Sequence, residues 1–160
     1  MDRFALTTAG LATVSLGGIA SAGVNFTHQL DRWNGEHSFT VTSSGGSVVM
    51  SMSGMNYAGS FSYFSYTLNT TDSNAWGSVF WGMDLGAGTY TVNMFDSYSD
   101  GWAWGSYVGG LYVSGDASGG ISYPSSLGGS ASFSFTVVPA PGAMALLGLA
   151  GLASRRRRRG

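Results

Sequence analysis

The chain has 160 residues, room for one domain, and 9 % of them are charged against the roughly 25 % of an ordinary soluble domain. It contains no cysteine, which excludes disulfides, Cys-rich zinc sites, thiol catalysis and redox motifs. From Gly23 to Val138 the acids Asp31, Glu36, Asp72, Asp84, Asp96, Asp100 and Asp116 stand against Arg32 alone, with no lysine. Such a surface repels phosphate backbones, so nucleic acid is excluded as a partner and cations are its natural ligands.

The first segment reads as a signal peptide over residues 1–22. Arg3 supplies a weak positive start, Phe4 to Ile19 carries no charge, and Ala20-Ser21-Ala22 offers the small residues that signal peptidase needs. Cleavage after Ala22 leaves Gly23 as the expected mature N-terminus.

Gly, Ser, Thr and aromatic residues dominate the expected domain at 23–138, a composition suited to short strands and poor for helices. Apolar and polar residues alternate with period two in several places, as at Phe39 and Val41, at Tyr90, Val92 and Met94, and at Phe133, Phe135 and Val137. Strands are predicted near 24–30, 37–43, 47–53, 61–68, 77–83, 88–95, 107–114 and 131–138. Turn formers separate them: Asn34-Gly35, Gly45-Gly46, Gly86-Ala87-Gly88, Asp116 to Gly120 and Gly128-Gly129. About eight short antiparallel strands at this spacing predict an all-β fold, a single β-sandwich or jelly roll.

The last segment, 139–160, opens on Pro139-Ala140-Pro141, continues through an apolar Leu/Ala/Gly span, and closes on Arg155 to Arg159. The apolar stretch is about a dozen residues, short of the roughly 20 of a usual membrane-spanning helix. It predicts a short membrane helix and a transient anchor in the inner membrane, with the arginines cytoplasmic and the domain outside. This layout resembles the PEP-CTERM sorting signal of Gram-negative bacteria, although Ala140 stands where that family usually has Glu. The resemblance implies that an exosortase cuts near Pro139 and Pro141 and passes the protein to the cell surface or extracellular matrix.

The densest motif is Asp96-Ser97-Tyr98-Ser99-Asp100-Gly101-Trp102, where a strand delivers two carboxylates into a tight turn. Calcium takes six to eight hard oxygens, which loops supply from carboxylates and carbonyls. A self-contained EF-hand is rejected, because Tyr98 and Tyr107 fall at two of its ligand positions. Asp31 and Glu36, between the first two strands, are the expected source of further oxygens. The alternative is that Asp96 and Asp100 only shape the turn. The segment resembles extracellular domains that carry an Asp-Ser-Tyr-Gly-Asp-Gly-Trp motif after an earlier Asp…Glu segment, here with Ser99 in place of the commoner Gly.

Trp102 and Trp104 would face the same way in an extended segment, and aromatics beside a calcium loop can stack on a polysaccharide. The plainer expectation is that they plug one end of the fold, with Trp33, Trp76 and Trp81 at core or rim. His28 and His37 are expected on strand surfaces, and no serine elbow, metalloprotease helix or phosphate loop occurs. The protein is therefore expected to be a non-enzymatic, exported structural or binding component of the cell envelope, stabilised by calcium. A calcium-dependent carbohydrate-binding module is the alternative, and a glycosidase built on Asp96 and Asp100 ranks last.

Overall fold

The structure, a computed structural model, describes residues 21–138. Within them the fold is all-β and antiparallel, consistent with the expected sandwich. The strands are β1 (Ser21–Asp31), β2 (His37–Ser43), β3 (Val48–Ser53), β4 (Asn56–Gly59), β5 (Tyr63–Leu68), β6 (Ala75–Gly86), β7 (Gly88–Asp96), β8 (Ala103–Trp104), β9 (Tyr107–Val108), β10 (Gly110–Gly115), β11 (Gly119–Ser122) and β12 (Ser130–Val137). One five-stranded sheet runs β11-β10-β1-β6-β5, the other runs β12-β7-β2-β3-β4, and β8 and β9 form a small hairpin.

Twelve strands replace the eight expected, for local reasons. Ser53 pairs with Asn56 around Gly54 and Met55, both at positive φ, so a tight hairpin adds β4 without the Asn-Gly signature that usually announces one. Strand 107–114 breaks at Gly109, whose amide turns to the Trp102 carbonyl at 2.6 Å. Gly119 and Gly120, read from the sequence as part of a turn, pair with Val113 and Tyr112 as β11.

The two inner faces share one core. Phe26 on β1 stacks on Trp81 of β6 at 5.2 Å and meets Phe135 of β12 edge-on at 5.8 Å, while Phe39 of β2 stacks on the same Trp81 at 5.9 Å. Val24, Val41, Met50, Val92, Met94 and Leu111 fill the space between. Burial of each such side chain is worth roughly 1.5–3 kcal/mol, which is where a chain without disulfides finds its stability.

The expected signal peptide, all but its last two residues, and the expected membrane helix at 139–160 lie outside the described residues. Among the described residues no helix is long and apolar enough to cross a membrane. Ala20, Pro139 and Pro141 also lie outside them. Ala22 is buried in β1 opposite Leu85, and the Gly23 amide donates to Asp116 Oδ2 at 2.9 Å.

Candidate functional site

β7 carries Tyr90, Val92 and Met94 inward, and the same period-two rule brings the next member, Asp96, to the core side. Asp96 lies opposite His37 in the β2–β7 register, and the Ser97 amide donates to the Glu36 carbonyl at 3.3 Å. These two contacts bring Glu36, the last residue of the short 3-10 turn Asn34–Glu36, beside the β7 end. Asp100 follows on the loop. One oxygen from each of Glu36, Asp96 and Asp100 lies within 4.8 Å of the others.

The expected turn role of Asp96 is present: its Oδ2 accepts the amides of Asp100 at 2.7 Å and of Gly101 at 3.0 Å. The other oxygen is not used in this way. Asp96 is 5 % exposed, and its Oδ1 is buried without a hydrogen-bond partner among the described residues. A buried carboxylate oxygen left unpaired is costly, and a cation is one of the few things that offsets the cost.

Crowded carboxylates resist ionising together. Burial, then the charges of Asp96, Asp100 and Asp31, push Glu36 above its ordinary range. Burial, then the neighbouring Asp96 carboxylate, push Asp100 up as well. Tyr123, fully buried with its hydroxyl unpaired among the described residues, is pushed up to about 12 by burial and by Asp96.

The loop is shaped by two residues in left-handed conformation. Gly101 has φ +78°, and a Cβ there would meet the Pro124 carbonyl oxygen at 2.6 Å, so only glycine fits. Ser99 has φ +65°, which a serine adopts at a cost.

Asp31, expected among the ligands, is otherwise engaged. Its Oδ1 accepts from the Trp33 amide at 2.9 Å and from His37 Nε2 at 3.0 Å, and it is not one of the three clustered carboxylates. The histidines overturn their expected place on strand surfaces, since His28 and His37 are both fully buried. His37 Nδ1 meets His28 Nε2 at 2.9 Å, and His28 Nδ1 meets the Tyr57 hydroxyl at 2.7 Å. A hydrogen-bonded chain Tyr57–His28–His37–Asp31 thus crosses the interior beneath the acidic cluster. The sequence held a signal for it. His28 falls in the inward series Val24, Phe26, His28, Leu30, and His37 in the series His37, Phe39, Val41.

Trp102 and Trp104 do not share a face. Trp102 is 0 % exposed, stacked on His37 at 4.2 Å with its Nε1 donating to the Phe95 carbonyl. The reason is that β8 begins only at Ala103, after the turn at Gly101, so extended-strand alternation does not run through all three residues. Trp104 is 39 % exposed, and its exposed neighbour is Trp33, edge-on at 5.6 Å. The Arg32 guanidinium lies 5.5 Å from the centre of each ring and forms no ion pair among the described residues. Of the remaining tryptophans Trp81 is core, while Trp76 is exposed.

An open groove of about 490 Å³ runs along 67–78 and reaches Tyr107. None of the clustered carboxylates lines it, and it brings no acid–base pair together. Comparison with protein-family models, curated proteins and solved structures finds no match for the chain.

Proposed function

We propose that this is a non-catalytic, calcium-binding β-sandwich, exported and sorted to the cell surface or extracellular matrix by its two terminal segments. The observation that carries the calcium reading is Asp96, which has a buried, unpaired carboxylate oxygen, Oδ1, and belongs to the cluster of three carboxylates with Glu36 and Asp100. Oxygens around calcium lie 2.3–2.6 Å from the ion, so ligands on opposite sides sit ~5 Å apart, and the three carboxylates fit within that span. Hard oxygens and no nitrogen or sulfur favour calcium over zinc or copper. The ion ties the β1–β2 connection, through Glu36, to the loop after β7, so it acts as a staple in a domain that has no disulfide.

Export rests on the residues of 1–22, and sorting on Pro139, Pro141 and the closing arginines. Signal peptidase and an exosortase-type enzyme are the partners this reading requires. Among the described residues the hydrogen-bonded Asp31, His37 and His28 are buried away from solvent, which supports a binding role over turnover.

A second reading has its own observation. Trp33, Trp104 and Arg32 form an exposed aromatic and cationic surface continuous in sequence with both halves of the cluster, which supports calcium-dependent polysaccharide binding. The deciding experiment for calcium is a calorimetric titration of the full chain with the ion, beside Asp96→Asn. Heat of binding that the variant loses supports the site; no heat in the wild type leaves Asp96 as a turn residue only.

A further inference from the structure

The edge strand β5 has no shield. Proteins blunt exposed sheet edges with charge, proline, bulges or shortness. Tyr63-Phe64-Ser65-Tyr66-Thr67-Leu68 has no charge and no proline, pairs with β6 in unbroken register from Tyr63↔Gly82 to Leu68↔Gly77, and is exposed along its whole length. The other edges are treated differently. β4 and β11 are four residues long, and β12 packs beside β11 across the sheets.

β5 is also held firmly enough to serve as a template. Gly82 has no side chain to obstruct the Tyr63 ring, which crosses that position and hydrogen-bonds to Asn25 on β1 at 3.1 Å. At the other end Gly77 allows the β5 backbone close approach, since a Cβ there would overlap the Thr67 carbonyl oxygen.

The inner face of the strand is apolar and incompletely covered. Phe64 and Tyr66 lie opposite Trp81 and Val79, so they and Leu68 face the core side. Phe64 meets Tyr57 of β4 at 5.2 Å. Beyond it lies a cavity of about 220 Å³ lined by Leu30, Met55, Tyr57, Tyr66, Leu68 and Val79 among others, and Tyr66 and Leu68 remain 67 % and 62 % exposed.

We propose that β5 is a self-association edge, where a second copy of this chain adds its own β5 antiparallel about a two-fold axis. The occupant follows from pairing, charge and area together. A free strand edge offers alternating main-chain donors and acceptors that another strand satisfies, and in antiparallel two-fold pairing β5 is its own complement. Two copies of an acidic domain repel through their charged surfaces, whereas these six residues are neutral. Phe64, Tyr66 and Leu68 leave about 100 Å² or more of side chain open apiece. Two such sets with their strand backbones approach the roughly 1,000 Å² that a specific interface needs. The result is one continuous ten-stranded sheet, with Phe64, Tyr66 and Leu68 of both copies on the same side of the seam. It does not depend on calcium.

The test is sedimentation equilibrium of the full chain over a concentration series, wild type beside Ser65→Lys and Ser65→Asp, with Ser132→Lys on the β12 edge as control. Ser65 points to the outer, exposed face of β5, opposite Phe80, so a charge there blocks the edge without entering the core. A reversible dimer is expected, weakened ~10-fold or more by either charge at position 65 and unchanged by Ser132→Lys. A monomer throughout overturns the proposal, as does a dimer indifferent to position 65 or equally sensitive to position 132. Chelator added to the wild type leaves the dimer intact, and a dimer that dissolves on chelation also counts against the proposal.

Discussion

His28 on β1 and His37 on β2 meet across the interior of the fold, Nε2 to Nδ1, 2.9 Å apart. The protons of the whole chain follow from its acidic end. An ionised Asp31 can only accept, so His37 donates from Nε2; with burial favouring neutral rings, its Nδ1 then accepts from His28 Nε2, and His28 Nδ1 accepts from the Tyr57 hydroxyl. Each ring is neutral and its tautomer fixed, and adding a proton to either reverses at least one bond.

That arrangement predicts a loss of stability on mild acidification. Burial holds His28 well below its ordinary 6.5, with the nearness of His37 adding to the effect, and burial lowers His37 despite Asp31. Below pH 6.5 the unfolded chain takes up protons that the native state refuses. Stability is therefore present above 6.5 and falls as pH drops, by up to about 1.4 kcal/mol per pH unit for each histidine. Glu36 and Asp100 act in the opposite sense, because their raised values make the native state the better proton binder at lower pH. Melting curves from pH 7.5 to 5 should fall, and fall less steeply in His28→Gln. A flat wild-type profile would mean that the buried pair titrates like free histidine.

The calcium staple predicts a thermal shift with a specific genetic signature. A ligand at a hundredfold excess over its dissociation constant adds roughly 2.7 kcal/mol to the folded state, about 10 °C in a domain this size. Asp96→Asn keeps an oxygen for the Asp100 and Gly101 amides, so the loop survives while the charge at the cluster is lost. The variant should melt near the chelated wild type and ignore added calcium. Equal melting points for the wild type with calcium and with chelator would sink the staple.

Two neighbouring loop positions should respond to substitution with opposite signs. Ser99→Gly relieves a left-handed serine and is expected to stabilise by about 1 kcal/mol. Gly101→Ala places a Cβ against the Pro124 carbonyl at a left-handed position and is expected to cost at least ~2 kcal/mol. Denaturant midpoints measure both. Destabilisation by Ser99→Gly would show that the serine side chain contributes more than its backbone strain costs.

Much of this architecture is legible in the sequence because strands with one buried face write their period into it. Phe39 and Val41, or Tyr90, Val92 and Met94, announce both the strand and the face it buries. The same rule applied to His28, His37 and Asp96 places all three inside, and only the habit of reading polar residues as surface hides it. Other features leave no local trace. The Gly54-Met55 hairpin depends on a methionine at positive φ, and the nearness of Glu36 to Asp96 depends on the pairing of β2 with β7, far apart in the chain. Trp102 and Trp104 part company because a glycine turn interrupts the alternation that would have aligned them.

The exposed pair Trp33 and Trp104 carries the last prediction. Their rings stand edge to face at 84° with the Arg32 guanidinium against both, so the surface offers an aromatic face and a cation side by side. Sugar rings present apolar C–H faces that stack on tryptophan, and a carboxylated sugar adds a partner for an arginine that has none among the described residues. The acidic character of the domain works against such a polyanion until calcium neutralises part of the carboxylate cluster. Binding of a carboxylated oligosaccharide such as trigalacturonate, followed by tryptophan fluorescence, is therefore expected with calcium and absent with chelator. Trp104→Ala should weaken it ~10-fold, the loss of about 1.4 kcal/mol of stacking, while Trp76→Ala, exposed elsewhere, should not. Binding that survives chelation would separate the aromatic surface from the cation site. No binding in either condition would leave calcium with a purely structural role.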